Sequence, residues 1–115
     1  MPIAQIIVSE PLVPVVRQRA DALTAEVVRI LTADLFASPD LVQVVLTSAI
    51  APAFGKDVLC QVFHRATDAR TSQVRADAAK ALRLALERLT GGSVRVRLMA
   101  LEPAIIAASD TQGTL

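Results

Sequence analysis

The chain has 115 residues, with 12 Lys and Arg against 11 Asp and Glu, one His, and a net charge of +1. That length suits one domain and leaves little room for two. The near-balanced charge, with 3% aromatics and neither Trp nor Tyr, argues against a strong field for nucleic acid or a membrane surface and against the aromatic platforms of single-strand binders. Cys60 is the only cysteine, so neither an intramolecular disulfide nor a cysteine-built metal site can form. No apolar run approaches the ~20 residues of a membrane span, and no leader pattern is evident. A reducing cytoplasm is the expected setting.

Ile3 to Val8 reads as a strand, closed by Ser9, Glu10 and Pro11. Pro14 suits the first turn of a helix, where its missing N–H costs nothing. From Val15 to Phe36 the apolar residues Val16, Ala20, Leu23, Val27, Ile30, Leu31 and Leu35 recur at helical spacing. Ser38-Pro39-Asp40 breaks that helix, and Leu41 to Thr47 reads as a second strand. Ala51 to Asp57, with Pro52 and Gly55, is a loop. Val58 to Phe63 is a third strand. Thr71 or Ser72 can cap a second helix, and Gly91-Gly92 ends it through a positive φ. Val94 to Leu101 is the fourth strand.

The two halves echo each other. Gln5 and Gln61 sit mid-strand, and Arg19-Ala20-Asp21 recurs as Arg75-Ala76-Asp77 at the same offset. The expected fold is a single α+β domain over 1–115. Duplicated β-α-β halves, about 2–48 and 58–101, form a four-stranded sheet with two helices on one face, and 102–115 is a tail. Right-handed crossovers place both helices on one side. The first three strands are apolar on both faces, with Ile6 and Val8 on one and Ile3 and Ile7 on the other. Two helices cover one face only, and the second would be a larger apolar patch than a soluble monomer tolerates. A homo-oligomer joined through the bare sheet faces is therefore expected.

The opening Met1-Pro2-Ile3-Ala4-Gln5-Ile6, taken with the length and the doubled plan over residues 2 to about 101, resembles the tautomerase superfamily. That family includes 4-oxalocrotonate tautomerase and the macrophage migration inhibitory factors. The resemblance implies a homotrimer of β-α-β-β-α-β subunits. It also implies keto–enol tautomerase activity on a small 2-hydroxy or 2-oxo acid, with no cofactor and no metal. Removal of Met1 would leave Pro2 with a free secondary amine. An α-amino group titrates near 7.7–8.0, and an apolar, cation-lined pocket lowers that value toward the range of a general base at pH 7.

Arg70, in Ala69-Arg70-Thr71-Ser72, resembles the arginine that binds a substrate carboxylate or carbonyl oxygen in the family, and a guanidinium fork fits a planar carboxylate. His64-Arg65 resembles a His-Arg pair upstream of that loop in the dehalogenase branch. Arg65 is a second carboxylate ligand or a surface charge. His64, the lone histidine, reads as a strand-end residue without chemistry. Gln43 stands where a relative has a strand-two arginine and can hydrogen-bond an enol oxygen. Arg95 and Arg97 share one face of the fourth strand and either line a neighbour's pocket, Arg97 most directly, or discourage edge-strand aggregation. Ile3 and Phe54 are candidate apolar wall residues.

Two alternatives stand beside the tautomerase. One keeps Pro2 as a general acid in decarboxylation, hydration or dehalogenation, with Asp40 the available carboxylate. The other is a non-catalytic trimeric binding module. The expected partners are a small carboxylate-bearing enol or keto substrate and further copies of the chain, with no nucleic acid and no membrane.

Overall fold

The computed structural model describes residues 1–112; the last residues of the tail, 113–115, lie outside the described residues. Strands β1 (Pro2–Val8), β2 (Gln43–Ser48), β3 (Val58–Arg65) and β4 (Val94–Leu101) and helices α1 (Val13–Asp34) and α2 (Ser72–Thr90) follow the order β1-α1-β2-β3-α2-β4. The sheet order is β2-β1-β3-β4. β1 pairs with β2 in parallel, β3 with β4 in parallel, and the central β1–β3 pair is antiparallel. Each half is thus one β-α-β unit, and the halves meet with Gln5 opposite Gln61. The repeated glutamines mark the pseudo-twofold axis of the duplication.

The period of two along each central strand decides the layers. Pro2, Ala4, Ile6 and Val8 of β1 and Val58, Cys60, Val62 and His64 of β3 are buried, while their neighbours Ile3, Ile7, Leu59 and Phe63 are half-buried. The buried set packs with Leu23, Val27, Ile30 and Leu31 of α1, Leu35 just beyond it, and Ala78, Leu82, Ala85 and Leu86 of α2. Each fully buried Leu, Ile or Val stabilises the fold by about 1.5–3 kcal/mol relative to exposure. Burial pushes the Cys60 thiol up to about 12, which makes it core filling rather than a nucleophile.

Helix α1 begins at Val13, with Pro14 in its first turn as expected, and a 3-10 turn over Glu10–Leu12 feeds it. It ends at Asp34 rather than at Phe36. Phe36 adopts φ +59°, the left-handed conformation that usually calls for glycine. Strand β2 starts at Gln43, not Leu41, because Pro39–Leu41 form a 3-10 turn closed by Val42 N–H donating to the Pro39 carbonyl. Strand β3 runs on to Arg65, beyond the expected Phe63. Thr71 is the cap of α2, its Oγ1 accepting from Val74 N–H at 3.2 Å, and Gly91 at φ +74° ends the helix. In the tail, Pro103–Ile105 form one further 3-10 turn.

The face of the sheet away from the helices is bare. A shallow groove of ≈ 430 Å³ runs along it, lined by Ile3, Gln5, Ile7, Gln43, Val45 and Thr47. No helix among the described residues is long and apolar enough to cross a membrane.

Candidate functional site

One end of the sheet gathers the start of β1, the end of β3, the loop before α2 and the end of α1. Pro2 lies there with its ring fully buried. The antiparallel register sets it directly opposite His64. Arg65 follows His64 as the exposed last residue of β3. Arg70 closes the turn between β3 and α2: its Nε donates to the Leu35 carbonyl at 2.7 Å and its Nη1 to the Arg65 carbonyl at 2.8 Å. One guanidinium therefore ties the end of α1 to the end of β3. This explains a cation beside the N-terminus of α2, where the helix dipole disfavours it: the group rests on the Leu35 carbonyl just beyond the C-terminus of α1 and on the Arg65 carbonyl at the end of β3. Arg75 Nε adds a bond to the Arg70 carbonyl at 3.3 Å. Arg19, at the repeat position of Arg75, donates to the Arg88 and Leu89 carbonyls at the end of α2.

The electrostatics of this end favour a neutral amine. With Met1 in place, the terminal amine is held below its ordinary value of 8.0, first by burial and then by the Arg70 and Arg65 charges. Asp110 and Asp40 oppose this. Asp40 is exposed and accepts a hydrogen bond from the Ser38 hydroxyl, which holds its carboxyl below the usual value. Burial also lowers Arg70 below the ordinary guanidinium value.

Pro2, Arg65 and Arg70 are thus brought to one end of the chain's sheet. Gln43 is adjacent, paired with Ile3 across the β1–β2 ladder, but it lines the bare-face groove. Arg97 is elsewhere: it pairs with Gln61 in the middle of β4, two strands from β1, on the bare face. Phe54, fully exposed, sits in the loop between β2 and β3, at the end of the sheet opposite Pro2.

His64 is the residue whose place the sequence reading missed. It is fully buried rather than a loose strand end. Its Nδ1 bonds the Arg65 carbonyl at 3.1 Å, the same oxygen that Arg70 Nη1 uses. Its Nε2 is buried without a hydrogen-bond partner among the described residues. The signal was the alternation Val58, Cys60, Val62, His64, which carries the inward face one step past the last apolar residue.

Neither a family model nor a curated protein matches the chain. Solved structures do. Pt0534 inactivated by 2-oxo-3-pentynoate is 20% identical, with 93% of this chain and 92% of that one covered at a TM-score of 0.76. A fused 4-OT solved as a symmetric trimer is 17% identical over 94% and 92%, with a TM-score of 0.72. The macrophage migration inhibitory factor of Toxoplasma gondii is 18% identical over 95% and 97%, with a TM-score of 0.66. The doubled β-α-β chain, with Pro2 at the head of its first strand, has the fold of the tautomerase superfamily.

Proposed function

We propose that the chain is a homotrimeric keto–enol tautomerase of a small 2-oxo or 2-hydroxy acid, with Pro2 as its base after Met1 is removed. The observation that carries this reading is the placement of Pro2: buried at the head of β1, at the end of the sheet where burial, Arg70 and Arg65 lower the terminal amine. A neutral secondary amine there takes a proton from an enol hydroxyl or an activated carbon and returns it to the other atom. An amine held below its ordinary value is more readily free to take a proton, as general acid–base catalysis requires.

Arg70 holds the substrate carboxylate through Nη2, which makes no hydrogen bond to the described residues, and Arg65 supplies a second charge. The bonds to the Leu35 and Arg65 carbonyls fix the guanidinium plane in advance. Gln43 hydrogen-bonds the enol oxygen. Arg97 and Phe54 lie too far from Pro2 to act in the same protomer. The loop of Phe54 is six strand residues away, about 20 Å, so both serve only from a neighbouring copy. The bare face supplies the contact: it is partly apolar, and the two helices leave it uncovered. The fused 4-OT of the same fold is a symmetric trimer.

The 2-oxo acid class is supported by the relative inactivated by 2-oxo-3-pentynoate. The same reagent tests this chain. The expected outcome is one covalent adduct of the full reagent mass on the Met1-free protein, mapped to Pro2, as the amine nitrogen bonds an alkyne carbon and its proton passes to the other. An unmodified Pro2, or labelling elsewhere with equal speed, contradicts the reading.

A further inference from the structure

His64 combines features that the proposed mechanism does not use. It is fully buried, yet its Nε2 has no partner among the described residues. A buried polar atom left unpaired costs about 1–3 kcal/mol, so the orphan calls for an explanation. The protonation pattern follows from the neighbour: a carbonyl can only accept, so the 3.1 Å contact with the Arg65 oxygen puts the hydrogen on Nδ1. Nε2 of the neutral ring is then a bare lone pair, an acceptor only.

Among the described residues, the charges that act on the ring are cationic, Arg70 from the loop before α2 and Arg75 from α2, and Arg65 is its neighbour on β3. The terminus of β1 lies across the ladder, with Asp40 and Asp110 acting on that terminus. Burial, Arg70 and Arg75 hold His64 below its ordinary value of 6.5 while the Arg65 carbonyl opposes them, so the ring is neutral at pH 7.

The residue directly opposite is Pro2. Directly opposed residues point to the same face with Cβ atoms about 4.5–5.5 Å apart, and both side chains are fully buried. We infer that His64 Nε2 accepts a hydrogen bond from the imino nitrogen of Pro2 once Met1 is gone, which makes His64 a positioning residue for the catalytic amine. The inference rests on the reading of Pro2 as that amine. A neutral secondary amine has one N–H and one lone pair. Fixing the N–H on Nε2 leaves the lone pair free for a substrate proton. In the protonated amine the same bond favours the charged form, so it holds the Pro2 pKa up against Arg65 and Arg70 and keeps the group able to return the proton.

The test is nitrogen NMR on the full-length ¹⁵N-labelled protein, with Met1 shown to be absent by intact mass. The Nε2 resonance of wild-type His64 is expected to move with the midpoint of the Pro2 titration. In His64→Leu the Pro2 pKa is expected to fall by about one unit, a tenfold change in its proton affinity. In His64→Gln, whose amide oxygen is again an acceptor, most of that fall is expected to be recovered. A merely structural histidine would give no such rescue. A wild-type Nε2 signal that ignores the Pro2 titration, or an unchanged Pro2 pKa in folded His64→Leu, overturns the inference. The wild-type signal decides the matter alone if the leucine variant does not fold. None of these readouts needs turnover, so loss of the tautomerase reading and loss of this one are told apart.

Discussion

Arg70 ties two elements together at the end of the sheet where the proposed site lies. Its bonds to the Leu35 and Arg65 carbonyls span two elements, and hydrogen bonds from a charged donor contribute about 1.5–3 kcal/mol each. Arg70→Ala is expected to cost about 2–4 kcal/mol in urea unfolding and, in the folded fraction, to raise KM for a carboxylate substrate more than it lowers kcat. A variant as stable as wild type would show that these bonds carry no weight. The places of Pro2 and Arg70 were legible in the sequence, one beside the strand that begins at Ile3 and the other just ahead of the Thr71 cap, while the chemistry expected of them came only from the resemblance. The role of Leu35 as Arg70's partner was not legible, since a backbone carbonyl has no residue signature. His64 was half legible, as its period placed it inward while its position past Phe63 suggested the end of the strand.

At the scale of elements, periodicity fixed the strands and helices, and special backbone conformations fixed their ends. Gly91 and Gly92 adjoin but act differently. Gly91 has φ +74° and open space where a Cβ would stand, so Gly91→Ala costs conformational energy alone, about 1–2 kcal/mol. Gly92 has no positive φ, but a Cβ there would lie 2.7 Å from Leu12 Cδ1 and 3.0 Å from Asp57 Cβ. Gly92→Ala therefore overpacks the start of β4 against two segments and is expected to cost about 1–3 kcal/mol. Thermal unfolding of both variants checks this; a neutral Gly92→Ala would mean that the neighbours yield freely. The sequence announced the end of α2 through these glycines. It concealed the end of α1, where Phe36, a bulky residue, takes the left-handed conformation. The extra strand residues His64 and Arg65 were hidden likewise, because their pairing with Pro2, Ala100 and Leu101 is long-range.

For the whole molecule, the duplication and the layer order followed from the repeat and from right-handed crossovers, and the structure has both. What covers the bare face is a matter of assembly, and one chain's sequence specifies it only through leftover apolar surface. If three copies join through this face, sedimentation equilibrium gives a particle of three 12.2 kDa chains. Val45→Asp, at an exposed bare-face position of β2, then shifts the protein to monomer without unfolding it. A wild-type monomer at micromolar concentration contradicts the proposed assembly. Catalysis is expected to follow the terminal amine. If burial, Arg70 and Arg65 lower the Pro2 amine as they lower the Met1 amine below 8.0, and its neutral form is the base, turnover rises with pH through that lowered pKa and levels above it. The most direct measurement is ultraviolet-monitored ketonisation of phenylenolpyruvate and 2-hydroxymuconate by the Met1-free wild type and Pro2→Ala, side by side. The account predicts turnover in the wild type and a loss of about 10²–10⁴-fold in folded Pro2→Ala; equal turnover in the two proteins, or none in the wild type, would contradict it.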